Sequence, residues 1–137
     1  MKKLTVIMPV YNGELYIEEA INSLLNQTFS DFDLIVLNDN SADNTVAIID
    51  KLKANDDRII LINKTINEGP AHLRNEGIDL AQTEYIALLD ADDIAMPTRF
   101  EKQIQLLDSQ PNLALCGTWF TIFGDKKEKI LRHKVDH

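Results

Sequence analysis

Short apolar runs alternate along the chain with segments whose apolar residues recur three and four positions apart. The runs occupy residues 4–8, 34–37, 59–62, 85–89 and 113–123. Continuous apolar runs of this length predict strands, and the lack of polar alternation is typical of a sheet buried on both faces. We therefore expect five strands, the last of which bends into a hairpin near Gly124 and Asp125.

The segments between these runs have the period of helices. After a turn at Asn12 and Gly13, apolar residues fall on one face of a first predicted helix. These residues are Ile17, Ala20, Ile21, Leu24 and Leu25. Further helices are predicted from a cap at Ser41 or Asp43, from Gly69–Pro70 to about residue 81, and from a capping box at 98–101. Strict alternation of strands and helices predicts an α/β fold: a mostly parallel sheet covered by helices on both faces, in a single domain over residues 1–137.

Composition narrows the class of protein. The 137 residues are 45% hydrophobic and 26% charged, as in ordinary globular domains. A formal net charge of −8 argues against a nucleic-acid partner. No apolar run approaches the ~20 residues that cross a bilayer, and residues 1–3 lead into a strand rather than a signal peptide. The single cysteine, Cys116, lies in an apolar run, where we expect a small buried hydrophobe, and one cysteine fits a reducing cytoplasm.

The charge is unevenly spread along the chain. Residues 1–125 hold 9 Lys/Arg and 20 Asp/Glu, whereas residues 126–137 hold 5 Lys/Arg and 2 Asp/Glu. The basic end suits contact with an anionic membrane surface, and a solvated terminal segment is the simpler interpretation.

Polar residues follow the ends of the first four predicted strands. Right-handed crossovers bring the carboxyl ends of parallel strands to one edge, where open α/β sheets bind ligands. In chain order the residues are Pro9, Tyr11 and Asn12, then Asp39, then Asn67, then Asp90, Asp92 and Asp93. The sequence thus predicts one crevice lined by four loops.

Three carboxylates within four residues follow the fourth strand, at Asp90, Asp92 and Asp93. Like charges this close resist joint ionisation unless a cation or a donor network lies between them. Mg²⁺ or Mn²⁺ would supply that cation, since these hard ions take oxygen ligands and bridge protein carboxylates to substrate phosphates. The glycine motifs of dinucleotide enzymes and P-loop NTPases are absent from the sequence, so metal and helix N-termini would meet the phosphate charge. The three histidines share no metal-ligand spacing.

Four segments together resemble the family 2 glycosyltransferases: residues 9–12, 37–45, 67–77 and 90–99. Their order, spacing and strand context match from residue 4 to about residue 110. The resemblance implies a GT-A, Rossmann-like fold, a UDP-sugar or other NDP-sugar donor, Mg²⁺ or Mn²⁺, and inversion at the anomeric carbon. A bacterial cell-surface polysaccharide or lipopolysaccharide would be the family-level acceptor.

The resemblance also implies roles for individual residues. Pro9, Val10 and Tyr11, with Asn12 and Asn67 beside them, would lie at the nucleotide, and Asp39 would accept a hydrogen bond from the base. Arg74 would add positive charge near the base or diphosphate. Asp90 and Asp92 form the Asp-x-Asp pair, with Asp92 a direct metal ligand and Asp90 facing the ribose or metal-bound waters. Asp93 would lie behind the ligands or face the sugar.

Simpler interpretations accompany these roles. Asp39 and Asp43 also suit turn and cap positions, Arg74 suits a solvated helix face, and Tyr11 suits plain packing. Asn38 and Asn40 replace the first Asp and the Gly of the family's usual Asp-Asp-Gly-Ser motif. The general base of the family lies in a C-terminal half that these 137 residues do not include.

Two alternatives to a working transferase follow from this reading. The chain would be a non-catalytic nucleotide-binding fragment that lacks the acceptor half, or, less in keeping with the motif order, a metal-dependent phosphohydrolase. The expected partners are the nucleotide-sugar donor and a saccharide or lipid-linked acceptor, with peripheral membrane contact and a homodimer as further options. The expected location is the cytoplasm, up to the inner face of the membrane.

Overall fold

A computed structural model of the chain describes residues 2–124 and 129–131. In chain order its elements are β1 (Leu4–Val10), α1 (Ile17–Leu25), β2 (Phe32–Asn38), α2 (Thr45–Lys53), β3 (Ile59–Asn63), α3 (Pro70–Leu80), β4 (Tyr85–Leu88), α4 (Arg99–Ser109), β5 (Phe120–Ile122) and β6 (Lys129–Leu131). The first four strands form one parallel sheet in the order β3-β2-β1-β4. The predicted α/β class, with a parallel sheet between helices, is confirmed.

Strand β1 lies in the middle of the sheet and separates two apolar layers. Val6 pairs with Leu34 on one side and Ala87 on the other. The larger layer gathers alternate residues of β1 and β2 with α1, α2 and the first turn of α4. Within it the rings of Phe32 and Phe100 meet edge to face, with centroids 5.7 Å apart. Each such large side chain contributes about 1.5–3 kcal/mol through burial.

Helix α3 covers the opposite face of the sheet. Its Leu73 packs with Ile7, Ile35 and Leu37 in a second, smaller cluster. Gly77 lies directly above Ile7, since a Cβ added at Gly77 would be 2.5 Å from the Ile7 Cγ2 atom. The missing side chain at Gly77 therefore sets how closely α3 approaches β1.

A buried glutamine joins α1 to the segment before α4. The Gln27 amide nitrogen donates to the carbonyl of Met96 at 2.8 Å, and its amide oxygen accepts from the N–H of Phe100 at 3.1 Å. The side chain of Ser23 accepts from the N–H of Ala95 at 3.0 Å. These bonds satisfy polar groups inside the core and anchor the segment that follows the acidic cluster.

The chain divides into two compact units, Met1–Glu101 and Lys102–His137. In the second unit, β5 and β6 pair as an antiparallel hairpin. The predicted strand over 113–123 is therefore wrong for residues 113–119, which join no ladder among the described residues. Cys116 is half-buried rather than buried, in a run that also leaves Leu115 83% exposed. An apolar run becomes a strand only where a partner strand takes up its backbone hydrogen bonds.

The assignment of residues 1–137 to a single domain stays a prediction. Most of the basic end, on which the membrane-contact hypothesis rests, lies outside the described residues. In the described ranges, no helix combines the length and the apolar character that a membrane span requires.

Candidate functional site

The side chain and backbone of Asn12 connect the loop after β1 to the loop after β2 through hydrogen bonds. The N–H of Asn12 donates to the hydroxyl of Ser41 at 2.9 Å, and its side-chain oxygen accepts from the N–H of Ala42 at 2.9 Å. Asn12 adopts a left-handed φ of 49°, which asparagine tolerates better than most residues. The polar groups of this predicted ligand-binding residue thus join two loops of the protein.

A second set of hydrogen bonds joins the start of α2 to the segment before α1. Asp43 accepts hydrogen bonds from the N–H and hydroxyl of Thr45 and from the N–H of Glu14. Burial works against the charged form, but these bonds outweigh it, and the pKa of Asp43 falls below its ordinary value. Asp43 therefore has a turn role directly before α2, but the cap predicted at Ser41 or Asp43 is wrong, since the N-cap residue of α2 is Asn44.

Asp39 lies at the centre of the carboxyl edge and is 3% exposed. Its two carboxylate oxygens accept from the N–H of Glu68 at 2.7 Å and of Gly69 at 2.8 Å. Its own N–H donates to the carbonyl of Val10 at 2.8 Å. Asp39 thus joins the loops that follow β1, β2 and β3. Each carboxylate oxygen has about two acceptor positions, so one remains on each oxygen for a ligand donor.

The backbone conformation of the loop before α3 allows its N–H groups to donate to Asp39. Gly69 adopts a φ of 84°, a conformation that favours glycine, directly before Pro70 at the first helical position. The side-chain amide of Asn67 donates to the Asp39 carbonyl at 3.2 Å. Asn67, predicted at the nucleotide, is therefore tied to the backbone of the residue predicted to bind the base.

The remaining predicted residues of the first loop differ in exposure. Pro9 and Val10 are buried in β1, so a ligand would meet their backbone rather than their side chains. Tyr11, which directly follows β1 at the same edge, is 56% exposed. A half-exposed aromatic ring at this edge suits the stacking of a planar base.

At the end of β4, Asp90 forms an ion pair with Arg74 of α3. The guanidinium nitrogen of Arg74 lies 2.5 Å from a carboxylate oxygen of Asp90, and the two side chains are 33% and 49% exposed. The structure therefore brings together two predicted site residues, one from a helix and one from a strand end. It also supplies a donor that relieves part of the charge repulsion in the acidic cluster.

Asp92 and Asp93 lie exposed beyond Asp90, in a turn closed by the Asp93 N–H and the Asp90 carbonyl at 3.1 Å. Burial, and then the negative charges of Asp92 and Asp90, raise the pKa of Asp93, against an opposing effect of Arg99. The negative charges of Asp92 and Asp90 thus add to the effect of burial at this turn. Three carboxylates this close in the sequence form an oxygen donor set that fits Mg²⁺ or Mn²⁺.

Sequence analysis missed a charged network on the outer side of α3. In the part of the chain that the structure describes, Glu68, His72 and Glu76 place ligand atoms within 4.8 Å of one another. The ammonium of Lys64 lies 2.8 Å from Glu68 and 2.9 Å from Glu76, and both carboxylates raise its pKa. The signal was the spacing of four residues between Glu68, His72 and Glu76, which puts His72 and Glu76 on one face of α3 and Glu68 two residues before that helix. Lys64 offsets part of the negative charge of this network, so the network ties the end of β3 to α3.

Comparison with known proteins decides the family. The model of the family described as glycosyl transferase family 2 matches residues 5–136. The chain belongs to glycosyl transferase family 2. The chain spans less than half the length of the curated relatives it matches.

Relatives and solved structures agree with this assignment. The chain is 42% identical over 94 residues to a Campylobacter jejuni protein named GalNAc(5)-diNAcBac-PP-undecaprenol beta-1,3-glucosyltransferase, covering 68% of this chain and 30% of that protein. Residues 1–349 of S. aureus TarS, in complex with UDP, superpose with a TM-score of 0.73 and 31% identity, covering 78% of this chain and 32% of that TarS chain. The mannosyltransferase PcManGT of Pyrobaculum calidifontis, in complex with GDP-Man and Mn²⁺, gives a TM-score of 0.70 and 25% identity, covering 77% and 32%. These matches confirm the GT-A fold.

Proposed function

We propose that this chain is the donor-binding part of an inverting glycosyltransferase. It binds a UDP-sugar, with Mg²⁺ or Mn²⁺, for transfer of the sugar to a saccharide or lipid-linked acceptor. The observation that carries the proposal is the convergence at one sheet edge of Asp39, the Arg74–Asp90 pair and the exposed Asp92. Membership of glycosyl transferase family 2 supports the reaction class.

The base would bind between Tyr11 and Asp39. The Asp39 carboxylate is held by the loop that follows β3 and keeps acceptor capacity, which suits the ring N–H of uracil. The half-exposed ring of Tyr11, at the same edge, would supply a stacking surface. UDP in the matching TarS complex supports this choice of base, and GDP-Man in the PcManGT complex names the competing donor.

The diphosphate would bind at the other end of the edge. Arg74 would donate to phosphate oxygens, since a guanidinium matches them with two parallel hydrogen bonds. Asp92, with Asp90, would hold the divalent ion, which when bound neutralises charge on the diphosphate as the sugar leaves. Such fixed charges around a leaving group often give the largest catalytic contribution.

The acceptor side is proposed from the relatives alone. The C. jejuni relative carries an undecaprenol-linked compound in its name, which supports a lipid-linked acceptor and work at the inner face of the membrane. Because the chain spans only part of its relatives, nucleotide binding without transfer is the second candidate function. The comparisons lend no support to a phosphohydrolase, since the matching family and the named relative are glycosyltransferases.

Calorimetric titration tests the proposal. We expect UDP to bind the purified chain in the presence of Mn²⁺ more tightly than in its absence, and more tightly than ADP or GDP. Asp92→Ala should abolish the dependence on Mn²⁺. Asp79→Ala is the matched control: it removes the same charge from an exposed position near the end of α3, away from the acidic cluster. UDP affinity that does not depend on Mn²⁺ and is unchanged by Asp92→Ala would refute the proposed donor site. Release of UDP that depends on an added acceptor would decide for transfer over binding alone.

A further inference from the structure

We infer that Arg74 competes with the divalent cation for Asp90, so that the cation and the nucleotide load this site together. The inference rests on the proposed function and adds an order of events to it. Its basis is the ion pair between the guanidinium of Arg74 and Asp90, within an acidic cluster predicted to hold the metal.

The first step of the argument is occupancy. A carboxylate oxygen that accepts a hydrogen bond from a guanidinium at 2.5 Å has a cation in contact with it already. A divalent ion that uses Asp90 has to displace Arg74 or share the carboxylate with it, against the repulsion of two positive charges. Without nucleotide, Arg74 therefore lowers the affinity of the acidic cluster for the ion.

The second step is that the pair can open. Arg74 is 33% exposed and Asp90 is 49% exposed, and partly exposed ion pairs are only marginally stable. The backbone beneath Arg74 is fixed, because Leu73 and Gly77 pack α3 against the sheet. Exchange of partners thus needs rotation of one long side chain and no movement of the helix.

The third step is the exchange itself. A diphosphate offers Arg74 more negative charge than one carboxylate does, and it offers a geometry that accepts two hydrogen bonds. When Arg74 turns to the diphosphate, Asp90 becomes free for the ion. By linkage, the ion then raises nucleotide affinity by the same factor by which the nucleotide raises ion affinity.

The test measures Mn²⁺ binding without nucleotide, from the loss of the electron paramagnetic resonance signal of free Mn²⁺. At an ionic strength of 0.15 M, where screening acts over about 8 Å, Arg74→Met should bind Mn²⁺ about three- to fivefold more tightly than the wild-type chain. Arg74→Lys, which keeps the charge, should stay within about twofold of wild type. Thermal unfolding followed by circular dichroism checks that each variant is folded.

Arg99→Met is the matched control. Arg99 is also close to the cluster, since it lowers the pKa of Asp93, and its guanidinium donates to the carbonyl of Leu88 at 3.0 Å. Its removal should change Mn²⁺ affinity less than twofold. Equal gains in both variants, no gain in Arg74→Met, or no measurable binding by Arg74→Met would each overturn the competition.

A second measurement adds UDP at saturation. The factor by which UDP tightens Mn²⁺ binding should be smaller in Arg74→Met than in the wild-type chain, and an equal or larger factor would contradict the exchange. If UDP does not bind the wild-type chain, the proposed function fails. The measurements without nucleotide still decide whether Arg74 and Mn²⁺ compete.

Discussion

Replacement of Gly77 by alanine tests whether the approach of α3 to the sheet holds the binding edge in place. The added methyl carbon would lie 2.5 Å from Cγ2, 3.1 Å from Cγ1 and 3.2 Å from Cδ1 of Ile7. Carbon atoms in good contact are about 3.5–4.0 Å apart, so the nearest pair must separate by roughly 1 Å or more. Ile7 is fully buried in the central strand, so the helix has to move instead.

Two opposing contributions set the size of the effect. Alanine is favoured over glycine inside a helix by about 0.8–1.0 kcal/mol. Overpacking a close contact typically costs about 1–3 kcal/mol. We therefore expect Gly77→Ala to lower the free energy of unfolding by up to about 2 kcal/mol. Since Arg74 is one turn before Gly77 on the same helix, the affinity for UDP with Mn²⁺ should fall as well.

Urea unfolding and calorimetry measure the two effects. Alanine and glycine at Asn75, an exposed position of the same helix, give the propensity difference in this context. The double variant Ile7→Ala with Gly77→Ala should lose less stability than the sum of the two single variants, with a coupling of about 0.5–3 kcal/mol. A Gly77→Ala chain that is more stable than wild type by the full propensity difference, with unchanged UDP affinity, would refute the reasoning.

Three further outcomes are expected. Asp39→Asn should destabilise the chain by about 1–3 kcal/mol and weaken UDP binding, because an amide oxygen cannot replace both bonds to Glu68 and Gly69. An unchanged midpoint of urea unfolding would contradict the stabilising role of these two hydrogen bonds. Gly69→Ala should cost about 1–2 kcal/mol from its φ of 84° alone, since its added methyl group meets no atom within 4 Å. The pair of Asp56 with Arg58 lowers the pKa of Asp56, chiefly through the side-chain hydrogen bond. The stability that Asp56→Asn removes should therefore be full above pH ~4 and vanish as the pH falls through the lowered pKa, which thermal unfolding between pH 2 and pH 7 would show.

Regular structure was predictable because its signal is local. The apolar runs of β1 and β2 are too short for typical helices, and their lack of polar alternation is typical of strands that are buried on both faces of a sheet. The start of α3 was equally predictable, since proline is tolerated in the first turn of a helix, whereas α2 is capped at Asn44 rather than at Ser41 or Asp43. Residues 113–119 are as apolar as these strands, but pairing depends on a partner strand that no local pattern reports.

The partners of the polar site residues could not be predicted in the same way. That Asp39 and Asn67 would lie at one edge follows from topology, but that Asp39 would bind the backbone of Glu68 and Gly69 depends on the path of one loop. The ion pair of Arg74 with Asp90 joins residues sixteen positions apart. Sequence reasoning gave each of these two residues a ligand and did not consider that each could bind the other.

The contacts divide the predicted site residues into two groups that mutation can separate. Asn12, Asn67 and Asp39 use their polar atoms to join loops, so their loss should lower stability and nucleotide affinity together. Asp92 and the ring of Tyr11 are exposed, so their loss should lower affinity and leave stability nearly unchanged. The proposed base end of the edge would therefore be held in place by loop contacts without a ligand, whereas the proposed diphosphate end would rearrange by exchange of ion pairs. When nucleotide affinity is plotted against the free energy of unfolding, the variants of the two groups should fall on two separate lines. A single line for all variants would show that the whole edge responds as one unit.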